Sequence, residues 1–196
     1  MKLRTLALAA VLFTLAAPAW AQTPAQPYAG QQGREVKALS AEDIAGLLKG
    51  EGMGLAKAAE LNGYPGPAHV LSLAAELNLT EAQRRQVQAV FDRMHTNAVA
   101  LGAEIVDRER VLDRQFAEGE LTADRLAEAT TKIAELQGRL RAAHLTAHLE
   151  TRPLLAPEQL AAYRRLRGYG GADAPHRHHH HGYIEQPLDS ENKKST

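Results

Sequence analysis

Two long stretches, roughly 80–116 and 122–150, carry apolar residues in steps of three and four that stay in phase from end to end. In the first they are Val87, Phe91, Met94, Ala98, Leu101, Ile105, Leu112 and Phe116; in the second, Leu126, Ala129, Ile133, Leu136, Leu140 and Ala147. That spacing is the mark of one amphipathic helix face. The break between them, Ala117-Glu-Gly-Glu-Leu121, is short enough to join two such helices as an antiparallel hairpin. The first arm would be roughly 55 Å long, too long to be buried alone. The other segments must pad the hairpin, pair it with a second copy, or dangle from it. An all-α fold follows: a long antiparallel helical hairpin with short flanking helices.

The flanks carry their own punctuation. Met1-Lys-Leu-Arg4 is basic, 5–17 is an apolar run, and Pro18-Ala-Trp-Ala21 ends in the small-residue pattern of a secretory cleavage site. Residues 1–21 are therefore expected to be a signal peptide, and the mature protein to be exported and soluble. The apolar run is shorter than the ~20 residues a membrane span needs. Residues 22–39, opening on a stretch rich in Gln, Pro, Ala and Gly, are expected to form a disordered leader. A helical domain is expected over 40–169. Ser40-Ala-Glu-Asp43 has the form of a capping box and should start a helix through Leu48. Gly50, Gly52 and Gly54 break it, 55–61 forms a second short helix, and Asn62-Gly-Tyr-Pro-Gly-Pro67 is dense turn chemistry before a helix expected through His69, Leu73 and Leu77.

Leu79-Thr-Glu-Ala-Gln83 opens the first long helix, with Thr80 and Gln83 placed to satisfy each other's free backbone N–H groups. A near copy, Leu155-Ala-Pro-Glu-Gln159, opens a last helix over 157–167. There Ala156 cannot cap as Thr does, although Pro157 suits a first helical turn. Residues 170–196 are Gly-rich, then His-rich, then polar, and are expected to form a disordered tail.

An export signal, the absence of cysteine, and the order motif, long helix, short turn, long helix, motif, helix together resemble the periplasmic Spy/CpxP family, whose relatives include ZraP and the CnrX-type heavy-metal sensors. The resemblance covers about 70–167; the first motif matches fully and the second departs at Ala156. It implies an all-helical fold whose members pair into a curved homodimer in the periplasm. It also implies non-enzymatic envelope-stress roles: ATP-independent chaperoning of unfolded or damaged envelope proteins, modulation of a sensor kinase or anti-sigma-type membrane partner, or metal sensing. The stretch 30–67 lies outside the shared pattern.

Composition narrows the choice. Removing Lys2 and Arg4 from 23 basic residues leaves 21 against 23 acidic ones, which with the export signal argues against nucleic acid as a partner. With no cysteine, disulfides, thiolate metal sites and Cys nucleophiles are excluded. No nucleophile elbow, phosphate-cradling Gly loop or His-Glu-x-x-His is present, so the chain reads as no enzyme. Arginines along both arms (Arg84, Arg85, Arg93, Arg108, Arg139 and Arg141 among them) can lay apolar stems on a client while their heads pair with carboxylates. By themselves the interspersed Glu and Asp favour an ordinary solvated surface; it is the family resemblance that points to a client-binding face.

Metal chemistry is the competing reading. Folding the hairpin about Gly119 sets His95 level with His144, and His144 and His148 share a helix face at i, i+4. Those three imidazoles suit zinc, nickel, cobalt or copper, with Asp92, Glu150 or His69 as a further ligand. The alternative makes His144 a core histidine bonded to a neighbour and leaves the other two solvated. In the tail, His176, His178, His179, His180 and His181 would bind transition ions without defining a geometry. The sequence thus supports two functions, an ATP-independent chaperone and a metal-binding sensor or buffer.

Overall fold

The computed structural model describes residues 26–169. The expected signal peptide, residues 22–25 and the histidine run of the tail lie outside them. The described chain is all-helical, in the order α1 (Ala41–Leu48), α2 (Lys57–Leu61), α3 (Pro67–Ser72), α4 (Glu81–Glu118), α5 (Ala123–Thr151), a 3-10 turn (Arg152–Leu154) and α6 (Pro157–Leu166).

Local chemistry sets most of these boundaries. Ser40 Oγ accepts from the Asp43 N–H while Asp43 accepts from the Ser40 N–H, a complete capping box that starts α1. Thr80 and Gln83 do the same for α4, and Gly119 ends it in the left-handed conformation at φ 71°. Thr122 caps α5 through the Arg125 N–H. At α6 only half the box exists: Gln159 reaches the Ala156 N–H, but Ala156 has no oxygen to return the bond. The helix expected through Leu77 ends at Ser72, and the chain continues in turns to Asn78, at φ 48°, which still bury Ala74 and Leu77.

The two long helices pack on each other, α1 lies against α4, α2 against α5, and α3 against both. Two apolar clusters result. One holds Leu47, Ala98, Leu101, Ile105, Val106, Leu136 and Leu140; the other holds Val70, Leu77, Val87, Leu155 and Tyr163. The expected stripe is largely buried, but Phe116 is 60% exposed, because α4 runs past the elements that cover it. Val90, in phase between Val87 and Met94, is buried on the side facing α5, and Val106, beside the stripe, is buried in the cluster that holds Leu47 of α1. Residues 26–39, within the expected leader, run in turns against α4. Val36 is fully buried there, Lys37 pairs with Asp113 at 2.8 Å and Glu35 with Arg110 at 2.7 Å.

The two glutamine motifs meet at one end of the long pair. Gln83 Nε2 donates to the Leu154 carbonyl (2.9 Å) and to Gln159 Oε1 (2.8 Å); Gln159 Nε2 donates to the Leu77 carbonyl (3.1 Å) and to Gln83 Oε1 (3.1 Å). Each amide also caps its own helix, so each glutamine satisfies a helix start and a carbonyl on the opposite segment. The pairing predicts non-additivity. Gln83→Leu and Gln159→Leu should each cost about 1–2 kcal/mol in urea denaturation, and the double variant less than their sum by about 1 kcal/mol.

Candidate functional site

Between the two apolar clusters the stripe of α4 passes through Phe91, Met94 and His95, and that of α5 through His144, Ala147 and His148. Here the long helices are roofed by the bend between α1 and α2. The bend needs Gly50 at φ 64°, Met53 at φ 43° and Gly54 at φ 78°, left-handed values that only glycine takes at no steric cost. Under it lies a cavity of about 540 Å³ whose walls are the bend, α2 and the start of α3 on one side, and α4 and α5 on the other.

His95, His144 and His148 all line this cavity, as does His69. They do not form the expected metal set. The His95 Nε2–H donates to the Lys49 carbonyl at 3.0 Å, and its ring stacks on Phe91, with centroids 5.4 Å apart. The His148 Nδ1–H donates to the Tyr64 carbonyl at 2.7 Å. One nitrogen of each ring is thus held by a backbone carbonyl of the 49–64 stretch, which fixes how the ring is turned. Among the described residues, no three His, Cys, Asp or Glu side chains converge as a metal site requires. The expectation of a zinc, nickel, cobalt or copper ion held by His95, His144 and His148 is therefore corrected. His176, His178, His179, His180 and His181 lie outside the described residues.

His144 is the histidine without a partner. It is 5% exposed, and its Nε2 is buried with no hydrogen bond from the described residues. Its Nδ1 edge faces Gly52, 3.9 Å from where a β-carbon on that glycine would sit. Burial, and then the nearby His148, pull its pKa below the ordinary histidine value. Unfolded, this imidazole takes a proton near pH 6.5. Folded, it resists protonation, so the unfolded state binds the extra proton and stability is lost as pH falls below that point. Urea midpoints followed from pH 8 to pH 5.5 should fall, and His144→Leu should flatten the decline.

Beside the cavity Glu60 is buried on α2, a role the sequence did not signal. Its Oε1 accepts from the Tyr163 hydroxyl at 2.6 Å and from Arg167 Nε at 3.3 Å, and its Oε2 from the Gly66 N–H at 3.2 Å. His69 and His148 each stand 3.7 Å from its oxygens. Burial and the Glu60 contact push the Tyr163 phenol far above its usual range, so it stays a donor. Gly66 lets His148 close in, since a β-carbon there would lie 2.9 Å from Cε1. The one acid of the stretch 55–61, where Lys57 is the only other charge, and a Tyr on the inner face of α6, were the available signals.

Two further grooves run between the long helices. One, of about 740 Å³, is lined by Arg108, Val111, Gln115, Arg125 and Lys132; the other, of about 350 Å³, by Arg93, Met94, Arg139, Ala143 and Thr146. Arg93 bridges its groove to Glu150 at 2.8 Å. Val111, Phe116 and Leu149 stand exposed on the same two helices. Neither a family model, a curated protein nor a solved structure matches this chain, so the likeness to Spy/CpxP proteins rests on motifs and element order.

Proposed function

We propose that this chain is an exported, non-enzymatic chaperone of the Spy/CpxP type, holding unfolded envelope proteins without ATP. In this reading α4 and α5 form an antiparallel hairpin, and two hairpins pair into a curved homodimer. The observation that carries it is the uncovered surface of the long pair. Exposed Val111 lines one of two arginine-edged grooves, and Phe116 and Leu149 stand exposed on the same two helices, so the long pair offers guanidinium groups and apolar side chains together. An unfolded chain presents the complement, apolar side chains among carboxylates, and long Arg stems adapt to many sequences. Loss of the histidine metal set removes the main support for a sensor.

Aggregation of a chemically unfolded client, followed by light scattering without nucleotide, tests this. Near-equimolar protein should suppress the scattering. Val111→Ser with Phe116→Ser should weaken suppression several-fold, while the melting temperature stays within about 2 °C, since both side chains are exposed. No suppression at tenfold excess, or full suppression by the double variant, would overturn the reading. Export is checked separately, by whether the expressed full chain is recovered from the periplasmic fraction and begins at Gln22.

A further inference from the structure

The stretch 30–67, which the Spy/CpxP likeness leaves without a role, builds one wall of the cavity over the long helices. We propose that this cavity is a binding site for an uncharged, largely apolar small molecule, two or three fused rings in size, that presents a hydroxyl to His144. Its volume of about 540 Å³ falls in the range of small-molecule sites. Met53, Pro67, Phe91, Met94 and Ala147 form an apolar lining, and the two thioethers adapt their shape to a flat ring at little cost.

Charge selects against ions. Glu60, the buried carboxylate on the wall, is already engaged by Tyr163, Arg167 and the Gly66 N–H, so it has little to offer a cation. The mouth mixes Lys49 and Lys57 with Glu51, favouring neither sign. Burial keeps the His144 ring neutral.

Hydrogen bonding selects the hydroxyl. His95 and His148 each spend a ring nitrogen on a backbone carbonyl, whereas His144 turns Nδ1 toward Gly52 on the cavity wall, where no described residue bonds it. A neutral imidazole has one N–H and one lone pair. A hydroxyl both donates and accepts, so it pairs with Nδ1 whether or not that nitrogen holds the proton.

The proposal stands apart from client binding and is tested with a matched pair of probes, 2-naphthol and naphthalene, titrated into the full chain and followed by NMR chemical shifts. One molecule per chain should bind, with 2-naphthol about tenfold tighter than naphthalene, the share of one added hydrogen bond. His144→Leu should bring 2-naphthol to the naphthalene level and leave naphthalene binding intact. Gly52 is exposed and not in a left-handed conformation, so Gly52→Leu can place a side chain in the cavity without backbone strain. It should weaken both probes at least tenfold, with the melting temperature unchanged. Failure of both probes to bind at millimolar concentration would overturn the proposal. So would an undiminished preference for 2-naphthol in His144→Leu, or binding indifferent to Gly52→Leu, which would put the probes on the client surface instead.

Discussion

Gly102→Val is expected to destabilise the fold by about 3 kcal/mol, shown as a lower urea midpoint with an unchanged slope. Gly102 sits in the middle of α4, where a glycine ordinarily weakens a helix. Here its missing side chain is what lets α1 cross. A β-carbon at Gly102 would overlap the Leu47 carbonyl oxygen, with the carbonyl carbon at 2.7 Å and the Leu47 Cα at 3.2 Å. These are backbone atoms, which no rotamer change can clear. The last turn of α1 would have to lift from α4, withdrawing Leu47 from the cluster it shares with Ala98, Leu101 and Ile105. Valine adds two methyl groups and the restricted rotamers of a β-branched residue. Gly138, on α5, supplies the opposite result. A β-carbon there meets nothing within 4 Å, so Gly138→Ala should stabilise by up to about 1 kcal/mol through helix propensity alone. If both substitutions move the midpoint the same way, close contact at Gly102 is not what matters.

What could be read in advance divides by the range of the interaction. The Ser40/Asp43 and Thr80/Gln83 boxes close within four residues, so their residue types suffice to announce them. The phase of the long stripes holds the same information over thirty residues and more, and the length of α4 and α5 followed from it. Helix faces, however, are covered by whatever the rest of the chain brings. Phe116 keeps the period yet is exposed, and Val106, one residue after the stripe position Ile105, is buried.

The histidines show the same limit at the site. Hairpin arithmetic correctly suggested that His95, His144 and His148 approach one region, for all three line one cavity. It could not show how carbonyls at Lys49 and Tyr64, some fifty to eighty residues away in the chain, would turn two of the rings, nor that the three would not converge on one point. Gly50–Gly54 looked like a break between helices. It is one, but the left-handed turns of that break are also what fold it over His144.

The second large effect is expected at Glu60, where Glu60→Leu should cost about 3–4 kcal/mol. The carboxylate ties α2 to the start of α3 through the Gly66 N–H, and to α6 through Tyr163 and Arg167. Leucine has about the right volume but no acceptor. It would leave the Tyr163 hydroxyl, fully inside its cluster, without the partner it now holds at 2.6 Å, and would strand a part-buried guanidinium beside it. Removing one member of a buried charged network costs several kcal/mol because the others stay buried and unpaired. Tyr163→Phe, which removes one donor and leaves Arg167 and Gly66 on the carboxylate, should cost only about 1–2 kcal/mol. In the double variant Glu60→Leu/Tyr163→Phe the stranded hydroxyl is gone, so the loss should fall short of the sum by about 1 kcal/mol or more. Additive losses in urea denaturation would mean the two side chains stabilise separate parts of the fold. A shortfall would mean that one shared bond carries α6, and with it the Gln159 end of the glutamine pair, onto the wall of the cavity.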